Sequence, residues 1–406
     1  MPTLNERIEA CSGGSVIVLD GDVEEEVVVG SGKKLTLDLG GHTLTAPAGV
    51  TPLTVLGADI TVRNGKILST GDSNGIRVGK AGATEVSKAR LESDLTVVSE
   101  EGCGVLLCAK AFVETGANVS NVKAGFAAIS GNGNQNNWYN GLTVFGGSVT
   151  SPDTAIYWPQ VGDLKILGGE LVAPLGIEIR AGQLYMSGGT VRGTGVPVTT
   201  APNGSGSTSS GCGIAVAQHT TKQPISVTIA GGVVEGYSAV YESNPQNNPA
   251  ADISKVGMNI VRGTFNAING GTVAVHSEDC TGFVRGGAYN TPVDASMCAD
   301  GFEVIKQSDG SYVAVVTAWT FPDGGVTGGG LMNMRRLVMS CNRLQYTAGG
   351  ISLPTADFRP YSVLSASAKG GLTGYYDAGT NKVVLYRGSK EVSGTLEDVT
   401  LIMVGH

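Results

Sequence analysis

Read as apolar against polar positions, the chain falls into runs of three to five residues that alternate with a period of two, the pattern of short half-buried strands. The stretch "LKILGGELVAPLGIEIRAGQLYMSGGTVRGTG", Leu164 to Gly195, shows the unit: apolar-x-apolar-x-Gly-Gly-x-apolar, twice in close succession. The same phrase is centred on Asn64-Gly65, Gly146-Gly147, Gly168-Gly169, Gly188-Gly189, Gly231-Gly232 and Arg262-Gly263, with a worn copy at Gly286-Gly287. Its second glycines are therefore Gly65, Gly147, Gly169, Gly189, Gly232, Gly263 and Gly287. The close-set copies among them give a base period of about 21, on which the wide gap from Gly65 to Gly147 counts as four periods. Polar insertions at 193–211 and 244–255 lengthen two of the other gaps. Between the glycine turns lies another short strand led by a small residue, as in "NGIRVGK", "GIEIRAG" and "CGIAVAQ".

Strands this short cannot stand alone, so each must stack on copies above and below it. A period of about 21 with glycine corners predicts an all-β chain built as a right-handed parallel β-helix. The competing architecture is an antiparallel sandwich with coincidental spacing, which rarely holds one period over so many copies. Roughly 300 residues then give about 14 coils and a stack about 65 Å long at the usual strand spacing. The N-terminal segment 1–12, "MPTLNERIEACS", reads as a short capping helix: Thr3 and Glu6 form a capping box, with Leu4, Ile8 and Cys11 on one side. The β-helix is assigned to 13–316. At Thr317 the period stops, and residues 317–330 form a glycine-rich linker. Residues 331–406 alternate like a small antiparallel, sandwich-like β domain, with turns at Lys369-Gly370-Gly371 and at 377–381.

Composition narrows the function. The 406 residues include 62 glycines but only 15% charged residues, and the net charge is -8. An acidic chain without a basic stripe argues against a nucleic-acid partner. No apolar run is long enough for a membrane-spanning helix, so no membrane partner is expected. Seven cysteines without a CxxC pair argue against a zinc site or a complete disulfide framework, and fit buried free thiols.

Catalysis of the glycoside type needs two carboxyl groups facing each other across a substrate. The candidates are Asp153, Asp163, Glu170, Glu178, Glu235, Glu242, Glu278 and Asp279, of which Asp153 and Glu178 make the best pair. The four histidines, His42, His219, His276 and His406, have no ligand spacing, and no nucleophile or phosphate-loop motif is present. The expectation is a protein without catalytic residues, cofactor or metal. Interface residues are sought instead among aromatics and paired cations. Trp138 and Tyr139 lie in the polar run "GNGNQNNWYNG", with Tyr157 and Trp158 one strand later; Trp319 and Phe321 stand at the domain junction, and Arg335 and Arg336 are adjacent.

Two resemblances add to this. "GGSVIVLDGDVEEEVVVGSGKKLTLDLGGHTLTA" with the following "ITVRNGKI" resembles the opening coils of pectin-lyase-like β-helix proteins of gut bacteria and their phages. "GGAYNTPVDASMCADGFEVIKQSDGSYVAVV" resembles their closing coil. Gly349 to Leu353, Gly374-Tyr375-Tyr376-Asp377, Asn381 to Tyr386 and Val399 to Val404 are similar to the small all-β domain of phage capsid-associated proteins. The resemblance implies a non-enzymatic virion protein, a capsid decoration or head-fibre homotrimer bound to the major capsid protein. Such a protein is made in the host cytoplasm and ends on the capsid exterior without an export signal. The alternative is a tailspike that binds or cleaves a host surface glycan.

Overall fold

The computed structural model describes all residues except 1, 133–138, 203–205, 317–325, 329–334, 347–350, 353–359, 368–370, 378–381, 388 and 406. By internal contact the chain divides into two compact units. The first comprises Met1–Asn259, Gly263–Cys280 and Tyr289–Thr291. It is a parallel β-helix, as the periodicity predicts.

Each coil contributes one strand to each of three parallel ladders. The first ladder runs through Lys34–Asp38, Asp59–Arg63 and Ser87–Leu91 to Gly162–Ile166 and Gly182–Met186. The second runs through Gly65–Ser69 and Leu95–Ser99 to Glu170–Ala173 and Thr190–Gly193. The third is a ten-stranded sheet from Val27–Val29 to Val275–Ser277. The Gly-Gly phrase is the corner between the first and second ladders, and the small-led segment is the third. Gly169 and Gly189 hold this corner at φ +86 and +77, and a Cβ on either would stand 2.8 Å or less from backbone of the coil before. Only glycine fits both the left-handed conformation and that close approach.

Register measures the coils directly. Asn140 pairs with Gly162 and Asp163 with Gln183, the short coils that the glycine spacing predicts. Elsewhere the coils are longer, with Asp59 paired to Lys88 and Phe112 to Gly141. The stretch from Gly65 to Gly147 therefore makes three coils rather than four, through Gly65↔Leu95, Val97↔Val119 and Val119↔Val149. The surplus chain is taken up at corners, which the ladder hydrogen bonds do not restrain, so a glycine count overstates the number of coils.

The core is a set of aliphatic columns. In the third ladder Val27, Leu53, Ile76, Val105, Ile129 and Ile156 pair in succession, and the column continues through Ile177, Ile214 and Val240 to Val275. All ten are buried. Burying each such side chain contributes roughly 1.5–3 kcal/mol relative to leaving it in water, and this offsets the ordering of a glycine-rich backbone.

The helix Leu4–Ala10 has the expected capping box and buries Leu4 and Ile8. Its Asn5 completes the edge of the first third-ladder strand. The Asn5 amide nitrogen donates to the Glu26 carbonyl (2.7 Å), and its oxygen accepts from the Val28 N–H (3.0 Å). Glu25 in turn accepts from the Leu4 and Asn5 N–H groups at 2.8 and 2.9 Å, satisfying donors of the helix's first turn. The last third-ladder strand, Val275–Ser277, is anchored at its exit by the strand it pairs with. Glu242 Oε2 accepts from the Ser277 hydroxyl (2.6 Å) and from the consecutive N–H groups of Glu278, Asp279 and Cys280 at 3.0 to 3.3 Å.

The second unit comprises Ile260–Arg262, Thr281–Ala288 and Pro292–His406. Parallel bridges join Ile260 to Val284 and Val284 to Cys298, and Phe302–Lys306 pairs antiparallel with Tyr312–Val316. Two small antiparallel sheets follow. In one, Arg335–Tyr346 and Pro360–Ser367 flank Gly394–Gly405; in the other, Lys382–Arg387 pairs with Thr373–Asp377 and Ile351–Ser352.

Candidate functional site

The outward row of the third ladder reads Leu106, Ser130, Tyr157, Glu178, Ala215, Tyr241, His276 along successive coils. Its last two members stay partly exposed, with the Tyr241 and His276 rings stacked at 4.5 Å. Its middle is covered, because the two polar insertions fold back over it.

The first insertion forms the small hairpin Thr199–Thr200 with Ser209–Ser210. Its Thr208 N–H donates to Glu178 Oε2 (2.9 Å) and its hydroxyl to Glu178 Oε1 (3.1 Å). Arg180 Nε donates to Glu178 Oε1 (3.2 Å), Arg180 Nη2 donates to the Thr208 hydroxyl (2.7 Å), and the guanidinium lies 5.1 Å from the Tyr157 ring centre. His219 Nε2 stands 3.2 Å from Glu178 Oε1 and 3.0 Å from the Thr208 hydroxyl, while Nδ1 has no partner among the described residues. A proton on Nε2 serves both acceptors and leaves at Nδ1 a bare lone pair, a smaller cost than a buried N–H without an acceptor. The second insertion joins through Asn248, whose amide donates to the His219 carbonyl (2.6 Å) and to Gln218 Oε1 (3.0 Å).

Glu178, Arg180 and His219 are 0%, 2% and 1% exposed. Burial alone would raise the Glu178 pKa, but the His219 hydrogen bond and the Arg180 charge outweigh it and hold the carboxyl at about 2, against an ordinary 4.5. Burial pushes the Tyr157 phenol up to about 12 and the Cys103 thiol to about 11, so both stay protonated near neutrality.

Beside this network lies a cleft of about 850 Å³. Leu106, Ser130 and Tyr157 form its floor. Gly125, Phe126 and Asp153, which precede the strands, line it together with Asn132, Pro159 and Arg180, which follow them. Gly206 and Ser207 of the first insertion, with Thr220 and Thr221, close the remainder.

The sequence-derived candidates distribute as follows. Asp153 lines the cleft, but its expected partner Glu178 is sealed beneath the hairpin, so the two do not face each other across open space. Glu242 is buried in its nest of N–H groups, and Glu235 is paired with Arg192 (2.8 Å). Asp163 bonds the Tyr139 hydroxyl, on the first-ladder side and away from the cleft. Tyr139 is 47% exposed. Tyr157 and Trp158, sought as interface aromatics, are 8% exposed and fully buried respectively, Trp158 because it continues an inward column beside Ile179. Trp138, Trp319, Phe321 and His406 lie outside the described residues. Arg335 and Arg336 open the strand Arg335–Tyr346. Among the described residues no cluster of metal-ligating side chains occurs, and six free cysteines are found, three of them buried.

Sequence reasoning missed Arg180 and Thr208, and gave His219 no role. The one available signal was "GIEIRAG", in which a third-ladder strand and its exit carry two opposite charges just before a long polar insertion. Compared with family models, with curated proteins and with solved structures, the chain finds no match in any of the three.

Proposed function

We propose that the chain is a non-enzymatic phage virion protein, a homotrimeric capsid decoration or head-fibre protein whose β-helix projects from a shell of major capsid protein. The observation that carries this reading is the second-unit hairpin. Thr373–Asp377 pairs with Lys382–Arg387 in the register Tyr375↔Val384, the hairpin that the resemblance to phage capsid-associated proteins requires. A long terminal strand, Gly394–Gly405, accompanies it.

The state of the carboxylates supports the non-enzymatic part. A glycosidase acid needs a raised pKa and access to substrate. Glu178 has a lowered one and no access, which leaves Asp153 without a partner in the cleft. The cleft favours a second reading, a tailspike that binds host surface glycan. Quantitative mass spectrometry of purified virions separates the two. A copy number that is a simple fraction of the coat protein's is the expected result; a copy number at the level of tail components overturns the capsid reading.

A further inference from the structure

We propose that the cleft on the third ladder binds an uncharged oligosaccharide through its hydroxyl groups. The proposal holds for a protein on the capsid or on the tail, since it rests on the cleft alone.

Charge sets the ligand class. Among the described residues that line the cleft, Arg180 is the one cation, and its charge is cancelled inside the protein by Glu178. Asp153 is the one carboxylate among them, and it is part-exposed. The local balance is therefore negative, so a phosphate, sulfate or uronate would meet repulsion without a compensating cation.

The remaining chemistry points to a polyol. Asn132 supplies an amide that both donates and accepts, while the Ser130 and Ser207 hydroxyls, whose protons go to the Gly131 and Ser209 carbonyls (3.0 and 3.5 Å), present lone pairs that accept. An apolar ligand would strip these groups of water without replacing their hydrogen bonds. Asp153 Oδ2 accepts from the Gly125 N–H (2.9 Å), and Oδ1 accepts from the Thr154 hydroxyl (3.1 Å). A carboxylate has roughly four acceptor positions, so two remain for ligand hydroxyls. Phe126 adds an apolar surface of the kind on which a sugar ring rests. The 850 Å³ volume falls within the roughly 300–1,000 Å³ of small-molecule sites. An extended peptide has no edge to pair with, because the floor strands Val105–Leu107, Ala127–Gly131 and Thr154–Trp158 are each bonded on both sides.

The test uses the full chain on an array of uncharged oligosaccharides (hexose and N-acetylhexosamine polymers) beside uronate and sulfated ones, with titration of any hit. Two variants accompany it. Asp153→Asn keeps the side chain's shape and removes its charge, while Thr220→Trp fills the cleft from an exposed position. Expected is binding confined to uncharged members, weakened about tenfold or more by each variant while the circular dichroism spectrum is unchanged. No binding at millimolar probe, a preference for acidic members, or hits that Thr220→Trp leaves unaffected would each overturn the proposal. None of these results bears on the virion copy number, so the two readings fail separately.

Discussion

At the scale of single residues, the buried Glu178, Arg180 and His219 behave as a fastener for the first insertion. Removing one charge of such a group strands the other in a dry site, which costs about 3–5 kcal/mol. Glu178→Gln is therefore expected to lower the unfolding free energy by several kcal/mol, read from a denaturant titration. The same carboxyl makes stability depend on pH. Its folded pKa of about 2 lies below the ordinary 4.5, so the ionised form favours the fold. The contribution is complete above pH 4.5 and is lost as pH falls toward 2, at most about 3 kcal/mol. An acid titration of stability should be shallower in Glu178→Gln than in the parent chain; equal slopes would show that Glu178 is not the group responsible. None of this was legible in the sequence beyond two opposite charges in "GIEIRAG". Thr208 and His219 reach Glu178 only because the chain, well past its strand, doubles back over it. An alternation pattern carries no information about such closure.

At the scale of elements, corners and caps were legible and coil lengths were not. A glycine pair at a fixed offset from an inward column announces a corner, since no other residue tolerates that conformation against a neighbouring backbone. Gly189→Ala should lower stability by about 2 kcal/mol or more, from the left-handed strain plus the close backbone of the previous coil. Gly14→Ala, at φ +84 with open space around it, should cost only the conformational part, about 1–2 kcal/mol, so thermal melts of the pair separate strain from crowding. The N-terminal helix was readable from its capping box. The use of Asn5 as a substitute strand was not, because an asparagine in a helix signals nothing by itself. Asn5→Ala removes the acceptor of the Val28 N–H. Hydrogen exchange at that amide should accelerate well beyond exchange at Val55, in the next third-ladder strand; unchanged protection at Val28 would show that Asn5 does not seal the edge.

At the scale of the whole molecule, the fold class followed from one repeated phrase, while the cleft did not, because a cleft is defined by what the insertions cover and the period excludes the insertions. Stacked coils touch only their neighbours, so the stability of the β-helix is close to a sum of local terms. A damaging change in one coil, such as Gly189→Ala, should raise hydrogen exchange most in the coils it touches and little near the N-terminal helix. A uniform rise across the β-helix would show instead that it opens as one body. The detour from Gly182 to Ile225 carries the whole first insertion, yet the two remain paired partners in consecutive rungs. Rung spacing is thus set by backbone hydrogen bonds and is indifferent to how much chain hangs outside. Heredity can therefore edit the hanging segments, where the cleft acquires its walls, as freely as a text can gain footnotes, and leave the line spacing of the page untouched.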